Sequence, residues 1–147
     1  YFIVTNPLYA QIPAADRGQM IDNWPAGWGV REVNAFIENE AKKEPVAVIT
    51  EGTFGLFPYA IEMYLVSNPN VEIVGIWPLP KEIPDEVAEK ARSKPTYFVL
   101  NESQEPPSWP LAFIAEYKKG LREDRKLRFY RITPPAPTPT ASPRKKT

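Results

Sequence analysis

Residues 46–65 read VAVITEGTFGLFPYAIEMYL, a short apolar run, a turn carrying one carboxylate and two glycines, and then a second apolar pattern of different period. Val46 to Ile49, bounded by Pro45 and Gly52, has the continuous hydrophobicity of a strand covered on both faces. After the turn, Phe57, Ala60, Ile61, Tyr64 and Leu65 recur at helical spacing, and Pro58 stands where the first turn of a helix tolerates proline. Strand, turn and helix in this order form the unit from which parallel sheets are built.

The same alternation extends outward. Val30, Val33, Ile37 and Ala41 lie on one face of a helix predicted from Gly29 to Lys43, ahead of the first strand. Val71 to Trp77 reads as a second strand and Thr96 to Leu100 as a third. Between them, Asp85 to Lys94 forms a charged helix with Val87, Ala88 and Ala91 inward. Pro110 to Glu116 suggests a helical turn or two, and Leu127 to Ile132 a last strand. Gly120 lets Tyr117 and Lys118 pair back on that strand as a hairpin. The expected fold is α/β: a small Rossmann-like, mainly parallel sheet of order about 2-1-3-4, with helices on both faces. Residues 1–28 form a lead-in, 29–133 the domain, and 134–147 a Pro/Thr/Ser-rich tail too poor in apolar residues to fold.

Composition narrows the chemistry. The 147 residues carry 18 Lys+Arg and 18 Asp+Glu, so no net field favours nucleic acid. With no Cys and no His, thiolate nucleophiles, disulfides, histidine relays and the usual zinc ligand sets are excluded, and no cofactor is implied. The chain opens on Tyr1, Phe2, Ile3 and Val4, which reads either as an edge strand or as the last turn of a helix in a longer protein.

In an open α/β sheet, ligands sit beyond the carboxyl ends of the strands, where Thr50, Glu51, Gly52 and Thr53 fall. The glycines are spaced G-x-x-G and no lysine follows, so neither nucleotide fingerprint is met. One reading makes Gly52 and Gly55 conformational necessities and Glu51 a turn residue. The other gathers Glu51, Gly52, Thr53, Trp77, Asn101 and Glu102 on one rim, where carboxylates accepting from hydroxyls beside aromatic faces suit a sugar or polyprenyl-sugar headgroup. Such a rim requires the strand order 2-1-3. All four tryptophans, Trp24, Trp28, Trp77 and Trp109, fall in loops or at element ends. There they plug loops onto the core, stack on carbohydrate or anchor at a membrane interface.

The runs DRGQMIDNWPAGWGVREVNAFI, VAVITEGTFGLFPYAIEMYL, PTYFVLNESQEPPSWPLAFIAEY and LRFYRI together resemble the soluble C-terminal domain of bacterial membrane glycosyltransferases of the protein-O-mannosyltransferase-like (dolichyl-phosphate-mannose-protein mannosyltransferase) class. The specific pieces are W-P-A-G-W-G at Trp24 to Gly29 and T-E-G-T-F-G at Thr50 to Gly55. The resemblance implies a domain that follows the last transmembrane helix, on the extracytoplasmic side of the cell membrane. Its partners would be its own transmembrane domain and a polyprenyl-phosphate sugar or glycan acceptor. It carries over no catalytic residue, because the class keeps its catalytic aspartate in a loop between membrane helices. Rival readings are a free-standing Rossmann-like sugar-binding module and a structural interaction domain.

Overall fold

A computed structural model describes residues 5–53, 55–101 and 105–134. Its regular elements are α1 (Val30–Ala41), β1 (Val46–Glu51), α2 (Leu56–Leu65), β2 (Val71–Ile76), α3 (Asp85–Ser93), β3 (Thr96–Leu100), β4 (Leu111–Lys118) and β5 (Lys126–Ile132). Ahead of them the lead-in makes a 3-10 turn at Pro7–Tyr9 and one α-helical turn, Ala14–Arg17, that widens into a π-turn over Gly18–Asp22. Among the described residues no helix is long and apolar enough to cross a membrane.

The five strands form one mixed sheet of order β2-β1-β3-β5-β4. β1 pairs in parallel with β2 on one side and β3 on the other, with Val46 opposite Val71 and Ala47 opposite Thr96. The 2-1-3 core therefore stands as expected. Beyond it the expectation of a mainly parallel sheet of order 2-1-3-4 is corrected: β5 runs antiparallel to β3 and forms a hairpin with β4 at the edge. The Tyr117 and Lys118 pairing is present, opposite Leu127 and Lys126.

The helical turns expected at Pro110 to Glu116 are instead part of β4. The reason is local. β4 has a neighbour on one side only, and a register shift between Phe113 and Ala115 resets the in-out alternation. Leu111, Ile114, Ala115 and Tyr117 are partly buried while Ala112, Phe113, Glu116 and Lys118 are exposed, so the period of 2 that marks a strand is broken.

Strand alternation elsewhere divides the core in two. On one face, Val46, Val48, Tyr97, Val99, Leu127 and Phe129 pack against Val33 and Ile37 of α1 and Phe57, Ile61 and Leu65 of α2. On the other, Ile49, Phe98, Leu100, Tyr130 and Ile132 meet Val87 and Ala91 of α3 and the Trp109 ring. Phe36 stands edge-on to both Tyr97 and Phe129, at 5.4 and 5.2 Å between centroids, which locks α1 onto the centre of the sheet.

Tyr97 is buried in that cluster, and its hydroxyl donates to Glu40 Oε2 at 3.0 Å. Burial, then the bond to the Glu40 carboxylate, pushes the phenol up to about 12. Its folded-state value thus lies above the ordinary value near 10, so the stabilisation is complete below about pH 10 and is lost as pH rises towards 12. Stability of the native chain minus that of Tyr97→Phe, followed by urea melts from pH 8 to 12, is expected to fall by about 2 to 3 kcal/mol over that window. A flat difference would remove the phenol from the account of alkaline stability.

Candidate functional site

The carboxyl ends of β1, β2 and β3 form a rim built largely by glycine. Gly52 (φ 97) and Gly55 (φ 90) both occupy the left-handed region that side chains resist, as the turn reading requires. The Gly52 N–H donates to the Ile76 carbonyl at 2.9 Å, folding the turn over the end of β2. Gly75 lies directly under it, where a Cβ would strike the Gly52 carbonyl. Over Gly55 lies the Trp24 ring, 3.3 Å from the position a Cβ would take. The two stretches Trp24–Gly29 and Thr50–Gly55, far apart in sequence, therefore meet at one place.

Beneath that meeting point runs a buried polar network. The Asn101 N–H donates to Glu51 Oε2 at 2.8 Å, bridging the ends of β1 and β3. The Asn101 side-chain amide donates to the Trp24 carbonyl at 2.9 Å. Lys119, wholly buried, donates from Nζ to the Trp24 carbonyl at 2.9 Å, the Ala26 carbonyl at 3.1 Å and Asn101 Oδ1 at 2.6 Å. Three acceptors match the three protons of an ammonium group. An ammonium can only donate, so Lys119 also fixes which end of the Asn101 amide faces it. Trp28 completes the loop by donating from Nε1 to the Ile21 carbonyl at 2.7 Å.

Arg17 secures the lead-in from the other side. Its Nε meets Asp22 Oδ2 at 2.9 Å and a terminal nitrogen donates to the Leu8 carbonyl at 2.8 Å. Residues 8–28 are thus pinned by one arginine from within and one lysine from the hairpin.

The residues expected at the rim separate into two groups. Glu51 and Asn101 are brought together but buried, with a carboxylate oxygen of Glu51 turned onto backbone. Thr53 is exposed at the turn, Gly52 half-buried, and Trp24 and Trp77 are half-exposed at 49% and 51%. Glu102 lies outside the described residues. Trp28 is partly buried against the lead-in. Trp109 does not belong to the rim. It is buried on the α3 face, tilted on Phe98 at 5.0 Å, with its Nε1 donating to the Pro80 carbonyl at 3.1 Å.

Lys119 escaped sequence reasoning. Its neighbours Lys118 and Gly120 mark a hairpin end, where lysine is ordinarily solvated, and its acceptors come from residues 24, 26 and 101. Among the described residues, the rim presents two half-exposed tryptophans and an exposed threonine, with Glu51 and Lys119 buried. Among the described residues, no group of three or more Asp, Glu, His or Cys stands close enough to hold a metal ion. The chain matches no protein-family model, no curated protein and no solved structure.

Proposed function

We propose that this chain is an extracytoplasmic, non-catalytic domain of an integral membrane glycosyltransferase that uses a lipid-phosphate sugar donor, and that its rim assists recognition of the acceptor or of the donor headgroup. One observation carries the reading. The two stretches that bear the resemblance, W-P-A-G-W-G and T-E-G-T-F-G, are joined in space, with the Trp24 ring against Gly55. A buried lysine and asparagine hold the Trp24 carbonyl in place. A ring so fixed offers a flat apolar surface at little entropic cost, which is how proteins grip the apolar faces of sugars.

The 2-1-3 core with α2 and α3 on opposite sides supports the finer description as Rossmann-like, since it creates a crevice where the chain changes face. In this reading the domain works at the cell membrane beside its own transmembrane part, and Trp24, Trp77 and Thr53 make the contacts. Glu51 and Asn101 position them from below.

Turnover of a polyprenyl-phosphate sugar is expected only from the full-length membrane enzyme and not from this chain alone, because the chemistry needs a base near the lipid-bound donor and, among the described residues, the rim carboxylate Glu51 is buried. In membrane vesicles, Trp24→Ala or Trp77→Ala in the full-length enzyme is expected to raise KM about tenfold with kcat little changed, the loss of one stacking surface of about 1.4 kcal/mol. Wild-type kinetics for both variants would sink the reading.

A further inference from the structure

Helix α2 does not have the surface of a helix facing water. An amphipathic helix turns charged residues outward, yet α2 carries one charge, Glu62, and no lysine or arginine. Phe57, Ile61 and Leu65 point into the core. The outward side is apolar as well: Tyr59, Met63 and Val66, at i, i+4 and i+7, are 49%, 79% and 79% exposed, and Tyr64 beside them is 67% exposed. The half-exposed Trp24 ring lies over Gly55, beyond the amino end of this surface.

Side chains of this size expose on the order of 200 Å² each when free, so the fractions for Tyr59, Met63, Tyr64 and Val66 leave on the order of 500 Å² of apolar surface. That is near the upper limit of what a monomer leaves uncovered. Paired with an identical surface it gives about 1,000 Å², the area that a specific interface has to clear. The spacing of Tyr59, Met63 and Val66 is the ridge by which one helix packs on another. Tyr and Met are among the residue types enriched at the centres of interfaces, and α2 carries a single charge, Glu62.

A helix lying in lipid headgroups carries Lys or Arg along its polar side, and α2 has neither. The formal net charge of zero lets two copies approach without repulsion. We propose that the outer face of α2, formed by Tyr59, Met63, Tyr64 and Val66 and ending short of the Trp24 ring, is a two-fold interface occupied by a second copy of this chain. A two-fold contact is made by the same patch on both copies, so Met63, at the centre of this patch, lies near its counterpart.

The test uses the 147-residue chain in sedimentation equilibrium up to hundreds of micromolar. The wild type is expected to approach twice the monomer mass. Met63→Glu is expected to remain at the monomer mass with an unchanged melting curve, and an equimolar mixture of Met63→Glu and Met63→Lys to recover the dimer. Because the chain has no cysteine, Met63→Cys is expected to form a disulfide-linked dimer on oxidation, whereas Glu89→Cys on exposed α3 does not. A wild type that stays monomeric throughout, a Met63→Glu variant that associates like the wild type, or a monomer that instead sediments with phosphatidylcholine vesicles would overturn the proposal. None of these outcomes bears on glycosyl transfer.

Discussion

Lys119→Met is expected to lower the stability of the domain by about 4 kcal/mol, a fall in Tm on the order of 12 °C for a chain of this size. The substitution nearly preserves volume, so the loss measures hydrogen bonding and not a cavity. It strands the Ala26 carbonyl and the buried Asn101 side-chain oxygen, and leaves the Trp24 carbonyl with the Asn101 side-chain amide as its remaining donor. Each orphaned acceptor costs about 1 to 3 kcal/mol. Lys118 serves as the internal control. Its ammonium meets Glu123 at the surface with the side chain 53% exposed, and Lys118→Met is expected to change stability by less than about 0.5 kcal/mol. Urea melts of both variants make the comparison. Amide hydrogen exchange adds a spatial readout, since loss of the clasp should remove protection from residues 8–28 before it affects β1 and β3. Equal effects of the two substitutions would show that the buried network contributes nothing beyond a surface pair.

The second large effect is expected at Gly29, which ends the W-P-A-G-W-G stretch and opens α1. Its φ is 84, and a Cβ there would lie 2.5 to 2.8 Å from three atoms of the Tyr117 side chain. Gly29→Ala therefore meets two penalties: about 1 to 2 kcal/mol for a left-handed conformation and a similar amount for displacing a ring packed on the core. A total of about 3 kcal/mol is expected. The two parts are largely separable, because Tyr117→Ala removes the ring carbons at 2.5 and 2.6 Å and leaves its own Cβ, at 2.8 Å, as the residual contact beside the backbone term. In the Tyr117→Ala background the same glycine substitution should then cost about 1 to 2 kcal/mol. An unchanged cost in that background would mean that the ring never constrained the loop.

Much of the architecture was legible in the sequence because it rests on short-range signals. Val46 to Ile49 declares a buried central strand through its unbroken apolar run, and Val30, Val33 and Ile37 declare a helix through their spacing. The 2-1-3 order followed from helices that cross on alternate faces. The edge hairpin was half legible: Gly120 gave away the turn, while the bulge between Phe113 and Ala115 disguised β4 as a helix by breaking its alternation. At the rim, Glu51 and Asn101 were placed correctly at neighbouring strand ends. Their inward orientation was not legible, since it depends on a lysine 18 residues beyond Asn101 and on carbonyls from a loop that precedes every strand. Trp109 follows the reading in which a loop tryptophan plugs its loop onto the core, since the ring is buried on Phe98.

The bond from Lys119 to the Trp24 carbonyl spans 95 positions of the chain, and this sets an order of events during synthesis. A ribosome adding about 5 to 20 residues per second needs on the order of 5 to 20 s to travel from one to the other. Throughout that interval the parallel strands and their helices can collapse, while the lead-in segment lacks its lysine clasp. The β4–β5 hairpin, last of the described elements to emerge, delivers the fastening. A nascent chain arrested before residue 119 should therefore hold a formed β1–β2–β3 core with residues 8–28 still open to protease, and release of the remainder should close them.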